Sequence, residues 1–324
     1  MSIKALPMRD AFLERIYQDM NCNSSIYFVS ADFGSPVLDK IRENFSDRFV
    51  NVGIAEQNLI NISAGLALEG FTVFAYSIAP FITMRCYEQI RVSLSLLSEV
   101  RPMNVNLIGV GAGYSYVVSG PTHQCYEDIT IMRALPNFQI LSPSDHIAAA
   151  ELFDNCVNLN GLKYLRFDAQ VLPIVYESAA PVISNGFHVH KQGGEVCLIA
   201  TGFMLHTALK VASEFERDGQ LVSVIDIFDL TNFSDTKLKA LLDSYSGVVS
   251  LEEGFRGRGG LDSMLFEFIS RRNISIKILN IGVEPSYSFE LGSREELHEK
   301  VGIGLQSVLE QVYDFMDKLY LNNN

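Results

Sequence analysis

Basic residues are in short supply in this sequence. Its 324 residues include 25 Lys and Arg against 38 Asp and Glu, and the formal net charge is −13. Nucleic acids and anionic membrane surfaces repel such a chain, so neither is expected as a partner. Apolar residues make up 48% of the sequence, which allows a large core and more than one domain.

Cysteine is also scarce. The five cysteines are odd in number, are widely separated and form no Cys-x-x-Cys motif. This pattern argues against a disulfide framework and a zinc site, and it is typical of reduced thiols. The first ten residues lack the apolar stretch of a secretory signal. We therefore expect a cytoplasmic location.

No uninterrupted apolar run is long enough to cross a membrane. The longest run, residues 59–82, is broken by Asn61, Glu69, Gly70 and Pro80, and it predicts a buried helix followed by a strand. The Walker loop, the serine nucleophile elbow and the zinc motif His-Glu-x-x-His are missing too. The sequence thus gives no sign of a membrane protein, a P-loop enzyme, a serine hydrolase or a zinc protease.

Short apolar runs alternate with helix-like segments almost throughout the chain. Continuous apolar strands separated by helices predict parallel sheets that are covered by helices on both faces. Pairs that contain Pro or Gly interrupt the pattern after about residue 170, and it then restarts. We expect an α/β protein with two domains, each with a mostly parallel sheet. The predicted ranges are 1–170 for the first domain, 171–193 for a linker and 194–324 for the second domain.

Glu56 stands where a carboxylate is unusual, at the start of an apolar helix soon after a short apolar strand and Gly53. One interpretation is helix capping, because the helix dipole favours an acidic residue in the first turn by about 0.3–1 kcal/mol. The other is catalysis, which needs a carboxylate held against an apolar wall that raises its proton affinity. The residues alone leave both interpretations open.

His123 lies in the motif Gly-Pro-Thr-His-Gln at 120–124, in a turn after a glycine-rich strand end. In α/β sheets, ligands bind at the carboxyl ends of the strands. Most loop histidines are surface residues, but this position makes a functional role more plausible for His123 than for an arbitrary loop histidine.

Three motifs in one order resemble a known family. Gly-Ile-Ala-Glu-Gln-Asn at 53–58, Tyr-Glu-Gln-Ile-Arg at 87–91 and Gly-Pro-Thr-His-Gln at 120–124 resemble the pyrimidine-binding domain of transketolases and deoxyxylulose-phosphate synthases. Segments between 200 and 297 are similar to the family's C-terminal domain. The resemblance covers nearly the whole chain. It implies a thiamine-diphosphate-binding fold followed by a transketolase C-terminal-like domain.

One signature of the family is missing from the chain. The family binds the cofactor's diphosphate and its Mg²⁺ through a separate N-terminal domain with a Gly-Asp-Gly motif, and this sequence has no Gly-Asp-Gly. The resemblance therefore implies the small subunit of a split transketolase, completed by a large subunit that holds the diphosphate and Mg²⁺. It also implies a second copy of this chain, in a two-plus-two heterotetramer of carbohydrate metabolism.

The resemblance assigns roles to individual residues. Glu56 matches the glutamate that hydrogen-bonds the aminopyrimidine ring of thiamine diphosphate, the cofactor that supplies the electron sink. His123 matches the histidine that contacts the reacting oxygens of the substrate and moves protons. Phe81 is the candidate for stacking on the pyrimidine, although one alignment places Ile78 there. Asp32 matches an acidic residue near the cofactor.

The same comparison of motifs bears on the substrate. Arg9 and Arg166 match arginines that hold a sugar phosphate by bidentate pairing. Ser119 stands where the family has an aspartate that reads the donor hydroxyl stereochemistry, and Gly111 stands where it has a phosphate-binding histidine. Loss of a charge-assisted contact weakens binding by about 1.5–3 kcal/mol. Either the sugar differs from the usual pentose phosphates or other groups bind its phosphate.

The expected reaction transfers a two-carbon ketol unit from a ketose, phosphorylated or not, to an aldose acceptor. Two alternatives remain: the β-subunit of a 2-oxo-acid dehydrogenase, which shares the two-domain plan, and a non-catalytic regulatory subunit that keeps only the fold. The motif at 120–124 and the Tyr-Glu-Asp-Ile that follows at 126–129 fit a transketolase better than a dehydrogenase. Retention of both Glu56 and His123 argues against a non-catalytic subunit.

Overall fold

Six parallel strands form the first of two sheets. The computed structural model describes residues 4–177 and 180–321, and the predicted domain limits at 1 and 324 lie outside these ranges. The strands are β1 Ile26–Ser30, β2 Phe49–Asn51, β3 Thr72–Ile78, β4 Asn104–Val110, β5 Phe138–Leu141 and β6 Gly161–Phe167. Their order is β2-β1-β3-β4-β6-β5, and every neighbouring pair is parallel. Strand β4 is buried along its whole length, as a central strand covered on both faces must be.

Helices cover both faces of this sheet. They are α1 Met8–Met20, α2 Pro36–Asn44, α3 Glu56–Leu68, α4 Tyr87–Gln89, α5 Asp128–Arg133 and α6 His146–Asn158. Helix α3 contributes Leu59 and Ile60 to one hydrophobic core. Helices α1 and α6 contribute Phe12 and Leu152 to another. Because the two cores are built by different helices against the same sheet, the predicted two-sided covering is present.

The segment after β3 is an irregular helix. Two π-helical turns, Phe81–Arg85 and Ile90–Leu96, lie on either side of the short helix α4. The sequence predicts a single helix over 83–97, since its apolar spacing is helical. A π turn accommodates an extra residue in a helix and is frequent at functional sites. The first of these turns carries Phe81 towards the carboxyl end of the sheet.

A mixed sheet of five strands follows. Its strands are β7 Phe187–Lys191, β8 Val196–Ala200, β9 Ser223–Ile227, β10 Gly247–Phe255 and β11 Lys277–Val283. The order is β11-β10-β8-β9-β7, with β7 antiparallel to β9 and the other pairs parallel. The accompanying helices are α7 Met204–Arg217, α8 Asp235–Leu242, α9 Leu261–Arg271, α10 Arg294–Lys300 and α11 Leu305–Leu321. The predicted fold class, two α/β units with mostly parallel sheets, is confirmed.

Strand β7 lies inside the range predicted to be a linker, 171–193. The Pro and Gly pairs around it are typical of a connection, and they obscure a short strand at the edge of a sheet. The division of the chain into the ranges 1–170, 171–193 and 194–324 stays a prediction.

Buried charges join the two sheets. Arg294, at the start of α10, forms ion pairs with Asp168 at 2.6 Å and with Glu253 at 2.7 Å. His298 Nε2 lies 2.7 Å from Glu253 Oε1. Asp168 follows β6 of the first sheet, whereas Glu253 belongs to β10 of the second. All four side chains are buried, and Asp168 is paired with Arg294 only while the two halves are in contact.

The structure also bears on membrane-spanning helices and on the cysteines. No helix within 4–177 and 180–321 is long and apolar enough to cross a membrane. All five cysteines are free thiols; Cys22 is exposed and the other four are buried.

Candidate active site

Glu56 is the first residue of α3, and a tight turn after β2 places it there. Gly53 has a φ of +72°, a left-handed conformation that glycine adopts without strain. The side-chain oxygen of Asn51 accepts the backbone N–H of Gly53 at 2.9 Å and that of Asp32 at 3.2 Å. Asn51 thereby ties the ends of β1 and β2 together. Glu56 consequently lies at the carboxyl end of the first sheet.

The Glu56 side chain is 3% exposed. Its Oε1 accepts a hydrogen bond from Arg85 Nη1 at 3.1 Å and a longer one from Ser77 Oγ at 3.5 Å. Glu56 is the acidic residue of the first turn of α3, where the helix dipole favours it, and the N-cap residue Ala55 makes no side-chain capping hydrogen bond. The dipole interpretation therefore stays open beside the catalytic one. The carboxylate borders a cleft of about 510 Å³, lined by Ile54, Ala55, Gln57, Asn58 and Arg85.

A chain of contacts leads from this carboxylate through Arg85 to Phe81 and His123. The guanidinium carbon of Arg85 lies 3.7 Å from the centre of the Phe81 ring. The Phe81 ring meets the His123 ring edge-on, with 5.3 Å between their centres. Arg85 therefore links Glu56 to Phe81, and Phe81 links this pair to His123. The structure brings three predicted site residues together around a cation that the sequence analysis missed.

The spacing of Arg85 offers a signal in retrospect. Residues four apart share a face of a helix, and Phe81 and Arg85 have this spacing. That signal is weak, because it does not reveal that the same face turns towards Glu56.

His123 is half-buried in the turn after the 3₁₀ helix Gly120–Thr122. Its Nδ1 lies 2.9 Å from Thr122 Oγ1, a hydroxyl that can donate to this nitrogen or accept from it, so the hydrogen bond holds the ring in either tautomer. The Tyr116 ring approaches His123 edge-on at 6.3 Å. An imidazole held in this way can accept or donate a proton through its other nitrogen.

Tyr116 fills the space that a side chain at position 111 would need. Gly111 has a φ of +107°, and a Cβ built there would lie 2.1 Å from Tyr116 Cε2. Burial raises the pKa of Tyr116 to about 12, so its hydroxyl is neutral at physiological pH. A histidine at 111 is therefore incompatible with this position of Tyr116. Ser119 is exposed in the same loop.

Asp32, Ile78 and Arg9 occupy three further positions. Asp32 is exposed, has a φ of 59° and accepts a hydrogen bond from Asn51 Nδ2 at 3.0 Å. Ile78 is the half-buried last residue of β3. Arg9, in α1, pairs through Nε with Asp10 at 2.7 Å. Asp32 and Ile78 lie at the carboxyl ends of β1 and β3, and Arg9 lies in the helix α1. The roles of all three residues stay predictions.

Arg166 has a different environment from that expected of a phosphate ligand. Its Nε donates to Asp128 Oδ2 at 2.7 Å, and the Tyr164 hydroxyl donates to the same oxygen at 2.8 Å. The Arg166 and Asp128 side chains are 2% and 0% exposed. A phosphate would have to compete with Asp128 for a buried guanidinium. Phosphate binding by Arg166 stays a prediction, and its environment favours a structural ion pair.

The chain matches two family models over most of its length. Residues 4–174 match the transketolase pyrimidine-binding domain, and residues 186–308 match the transketolase C-terminal domain.

Relatives of known name match it almost end to end. The B subunit of an apulose-4-phosphate transketolase from Actinobacillus succinogenes is 29% identical over 83% of this chain and 85% of its own. A putative transketolase C-terminal section from Methanocaldococcus jannaschii is 28% identical over 96% of each. A solved structure described as a split gene transketolase, inactive beta4 tetramer, has a TM-score of 0.83 at 28% identity. The match covers 96% of this chain and 98% of the chain in that structure.

Proposed function

This chain belongs to the transketolase family, and we propose that it is the small subunit of a split transketolase that transfers a two-carbon ketol unit from a ketose to an aldose. Both family models for the C-terminal half of such enzymes match the chain, in the expected order. Relatives named as the B subunits of apulose-4-phosphate transketolases match over nearly their whole length. Activity then depends on a separate large subunit.

The observation that carries the proposal is the buried carboxylate of Glu56 beside the ring of Phe81. An aminopyrimidine needs a carboxyl group at its ring nitrogen and an apolar face on which to lie, and Glu56 and Phe81 offer these two features to one planar group, the guanidinium of Arg85. Thiamine diphosphate, when bound, supplies the electron sink for the reaction. Glu56 would hold the proton at the ring nitrogen, and Phe81 would position the ring. The exposed Asp32 would face the cofactor from the neighbouring strand end.

His123 would act on the substrate. The centres of the His123 and Phe81 rings are 5.3 Å apart, so a sugar that reaches a cofactor on Phe81 would pass close to His123. The contact of Nδ1 with Thr122 orients the ring and leaves its other nitrogen to hold a substrate oxygen and exchange a proton with it. His123 is thus our proposed substrate-side acid and base.

We also propose that a large subunit supplies the diphosphate and Mg²⁺ site. Among residues 4–177 and 180–321, no three His, Cys, Asp or Glu side chains are placed to hold a metal ion. The sequence has no Gly-Asp-Gly motif. We propose a two-plus-two heterotetramer with a second copy of this chain, acting in cytoplasmic carbohydrate metabolism without nucleic-acid or membrane partners.

The substrate is proposed to differ from the usual pentose phosphates. Ser119 replaces a charged reader of the donor, and Tyr116 occupies the space beside Gly111. Two similar proteins are named for apulose 4-phosphate. Arg9 is the proposed ligand for a phosphate, because its guanidinium is only half-buried.

Co-expression with a candidate large subunit tests the proposal. With thiamine diphosphate, Mg²⁺, hydroxypyruvate and a panel of aldoses, the assembled pair should release CO₂ and lengthen an aldose. Glu56→Gln should lower turnover by at least about 100-fold without loss of assembly, as expected for a proton-transfer residue. The matched control is Glu88→Gln, an exposed glutamate of α4. Full activity of Glu56→Gln would refute the assignment, and a cofactor-loaded pair that ignores hydroxypyruvate would favour the oxo-acid alternative.

A further inference from the structure

Arg85 occupies the two surfaces that the proposed cofactor site offers to a pyrimidine. Its Nη1 donates to Glu56 Oε1 at 3.1 Å. Its guanidinium carbon lies 3.7 Å from the centre of the Phe81 ring, which is a stacking distance. A guanidinium is flat and carries N–H donors at its edge, as an aminopyrimidine does. One planar group therefore satisfies the carboxylate and the ring face together.

Two planar groups cannot share these surfaces. A pyrimidine that lies on the same face of Phe81 must stand where the Arg85 guanidinium now stands. At the carboxylate, Arg85 Nη1 occupies Oε1, so a ring nitrogen that bonds this oxygen must compete with the Arg85 N–H, whereas Oε2 can accept a second donor. A pyrimidine stacked on this face of Phe81 and the present position of Arg85 therefore exclude each other.

The surroundings allow Arg85 to leave. Its side chain is 46% exposed, whereas that of Glu56 is 3% exposed, so Arg85 can move into water and Glu56 cannot. Gln57 Nε2 donates to the backbone oxygen of Arg85 at 3.4 Å, which ties the π turn to α3. The side chain can consequently move while its backbone stays in place.

We propose that Arg85 is a stand-in for the aminopyrimidine ring: it pairs with Glu56 and stacks on Phe81 in the free subunit, and the cofactor displaces it. This inference rests on the proposed function, since it assumes that Glu56 and Phe81 bind a pyrimidine. Arg85 keeps a buried carboxylate paired before assembly. It also makes cofactor binding competitive, because each binding event must first break the contacts of Arg85.

The test measures binding of a pyrimidine probe, the free aminopyrimidine alcohol that corresponds to half of thiamine, to the full chain. Saturation-transfer NMR titrations compare the wild type with Arg85→Met, which keeps the length of the side chain but neither donates nor stacks as a cation. Arg85→Met should bind the probe about tenfold more tightly, the gain expected when about 1.4 kcal/mol of competing contacts is removed. Arg271→Met, which removes an exposed arginine paired with Asp235, should leave probe affinity unchanged.

Thermal unfolding supplies a second readout. Without probe, Arg85→Met should melt at a lower temperature than the wild type, because Glu56 loses its partner. A saturating concentration of the probe should reduce the difference in melting temperature between Arg85→Met and the wild type, because the probe gives Glu56 a new partner. Arg85→Lys keeps a charge for Glu56 but cannot stack as a plane, and its probe affinity should fall between those of the wild type and Arg85→Met. This variant keeps the test decisive if Arg85→Met does not fold.

The outcomes separate this inference from the proposed function. Equal or weaker probe binding by both Arg85 variants, together with loss of binding in Glu56→Gln, would overturn the stand-in role alone; Arg85 would then brace Glu56 or bind the pyrimidine directly. Probe binding that is absent from every form, or that persists unchanged in Glu56→Gln, would overturn both.

Discussion

Tyr116 lies directly against the backbone of Gly111, so closely that a Cβ at Gly111 would be 2.1 Å from Tyr116 Cε2. The ring also meets His123 edge-on. The glycine at 111 and the tyrosine at 116 are therefore one structural unit that shapes the wall of the proposed substrate site.

Gly111→Ala should lower the free energy of unfolding by about 2–4 kcal/mol, because overpacking adds to the strain of a positive φ. Gly70→Ala is the matched control: its φ is +91°, but nothing lies within 4 Å of its added Cβ, so strain alone should cost about 1 kcal/mol. Urea unfolding measures both. In a Tyr116→Ala background, the cost at Gly111 should fall to that at Gly70. An equal cost in both backgrounds would mean that Tyr116 does not cause it.

Arg166→Met should lower the free energy of unfolding by about 3–5 kcal/mol, because it leaves the Asp128 carboxylate buried without its cation. The exposed pair of Arg217 and Glu214 gives the control, and Arg217→Met should change stability by about 1 kcal/mol or less. Denaturant unfolding of the two variants makes the comparison. Unchanged stability of Arg166→Met, with a raised KM for phosphorylated sugars, would instead support phosphate binding by Arg166.

Asp226 should make stability depend on pH. Burial raises its pKa to about 7 from 3.8, while hydrogen bonds from Ser144 and Tyr176 oppose the rise and the charge of Asp145 adds to it. A carboxyl whose pKa is raised by folding contributes stability that is present below its unfolded pKa and is lost as pH rises through its folded pKa.

The substitution Asp226→Asn removes the ionisable carboxyl group, so the loss of stability with rising pH should disappear. Above about pH 7 this variant should be more stable than the wild type by up to about 4 kcal/mol, since the pKa rises by about three units on folding and each unit corresponds to about 1.36 kcal/mol. Urea unfolding across the pH range provides the measurement, and Asp39→Asn, on the surface of α2, is the control. Parallel pH profiles for Asp226→Asn and the wild type would contradict the prediction.

Phe81→Leu should weaken binding of the pyrimidine probe by about three- to tenfold, the loss expected when an aromatic contact worth about 0.5–1.5 kcal/mol is removed. Ile78→Ala should have no effect, since the contacts to Arg85 and His123 are made by Phe81. NMR titration distinguishes the two residues. The reverse result would identify Ile78 as the residue that packs on the pyrimidine.

Much of the fold and part of the site follow from the sequence. The run Val-Asn-Leu-Ile-Gly-Val at 105–110, apolar except for Asn106, predicts the central parallel strand β4, because a strand buried on both faces lacks the polar alternation of a half-exposed one. Motif order is sufficient to single out Glu56 and His123, and the structure connects His123 to Phe81 directly and Glu56 to Phe81 through Arg85. These features depend on local patterns or on short motifs, so they can be predicted from the sequence alone.

Other features depend on contacts that no local pattern records. Arg85 reaches Glu56 only because a π turn follows β3, and the helical spacing of residues 83–97 does not reveal that turn. Arg166 sits in an apolar strand, and the sequence cannot distinguish a ligand from a buried ion pair whose partner, Asp128, lies 38 positions away. Strand β7 is hidden by the turn residues around it.

The ion pairs of Arg294 have a consequence for how the molecule comes apart. Asp168 and Glu253 belong to different sheets, and both depend on the same guanidinium. If the second half melted alone, Asp168 would lose its cation, at a cost of up to about 3–5 kcal/mol while it stayed buried; if the first half melted alone, Arg294 would keep Glu253 and lose Asp168. The shared guanidinium therefore couples the two halves, and we expect them to unfold in one cooperative transition. Proteolysis would then require unfolding of the whole chain, and unfolding of one half alone would not expose a cleavage site.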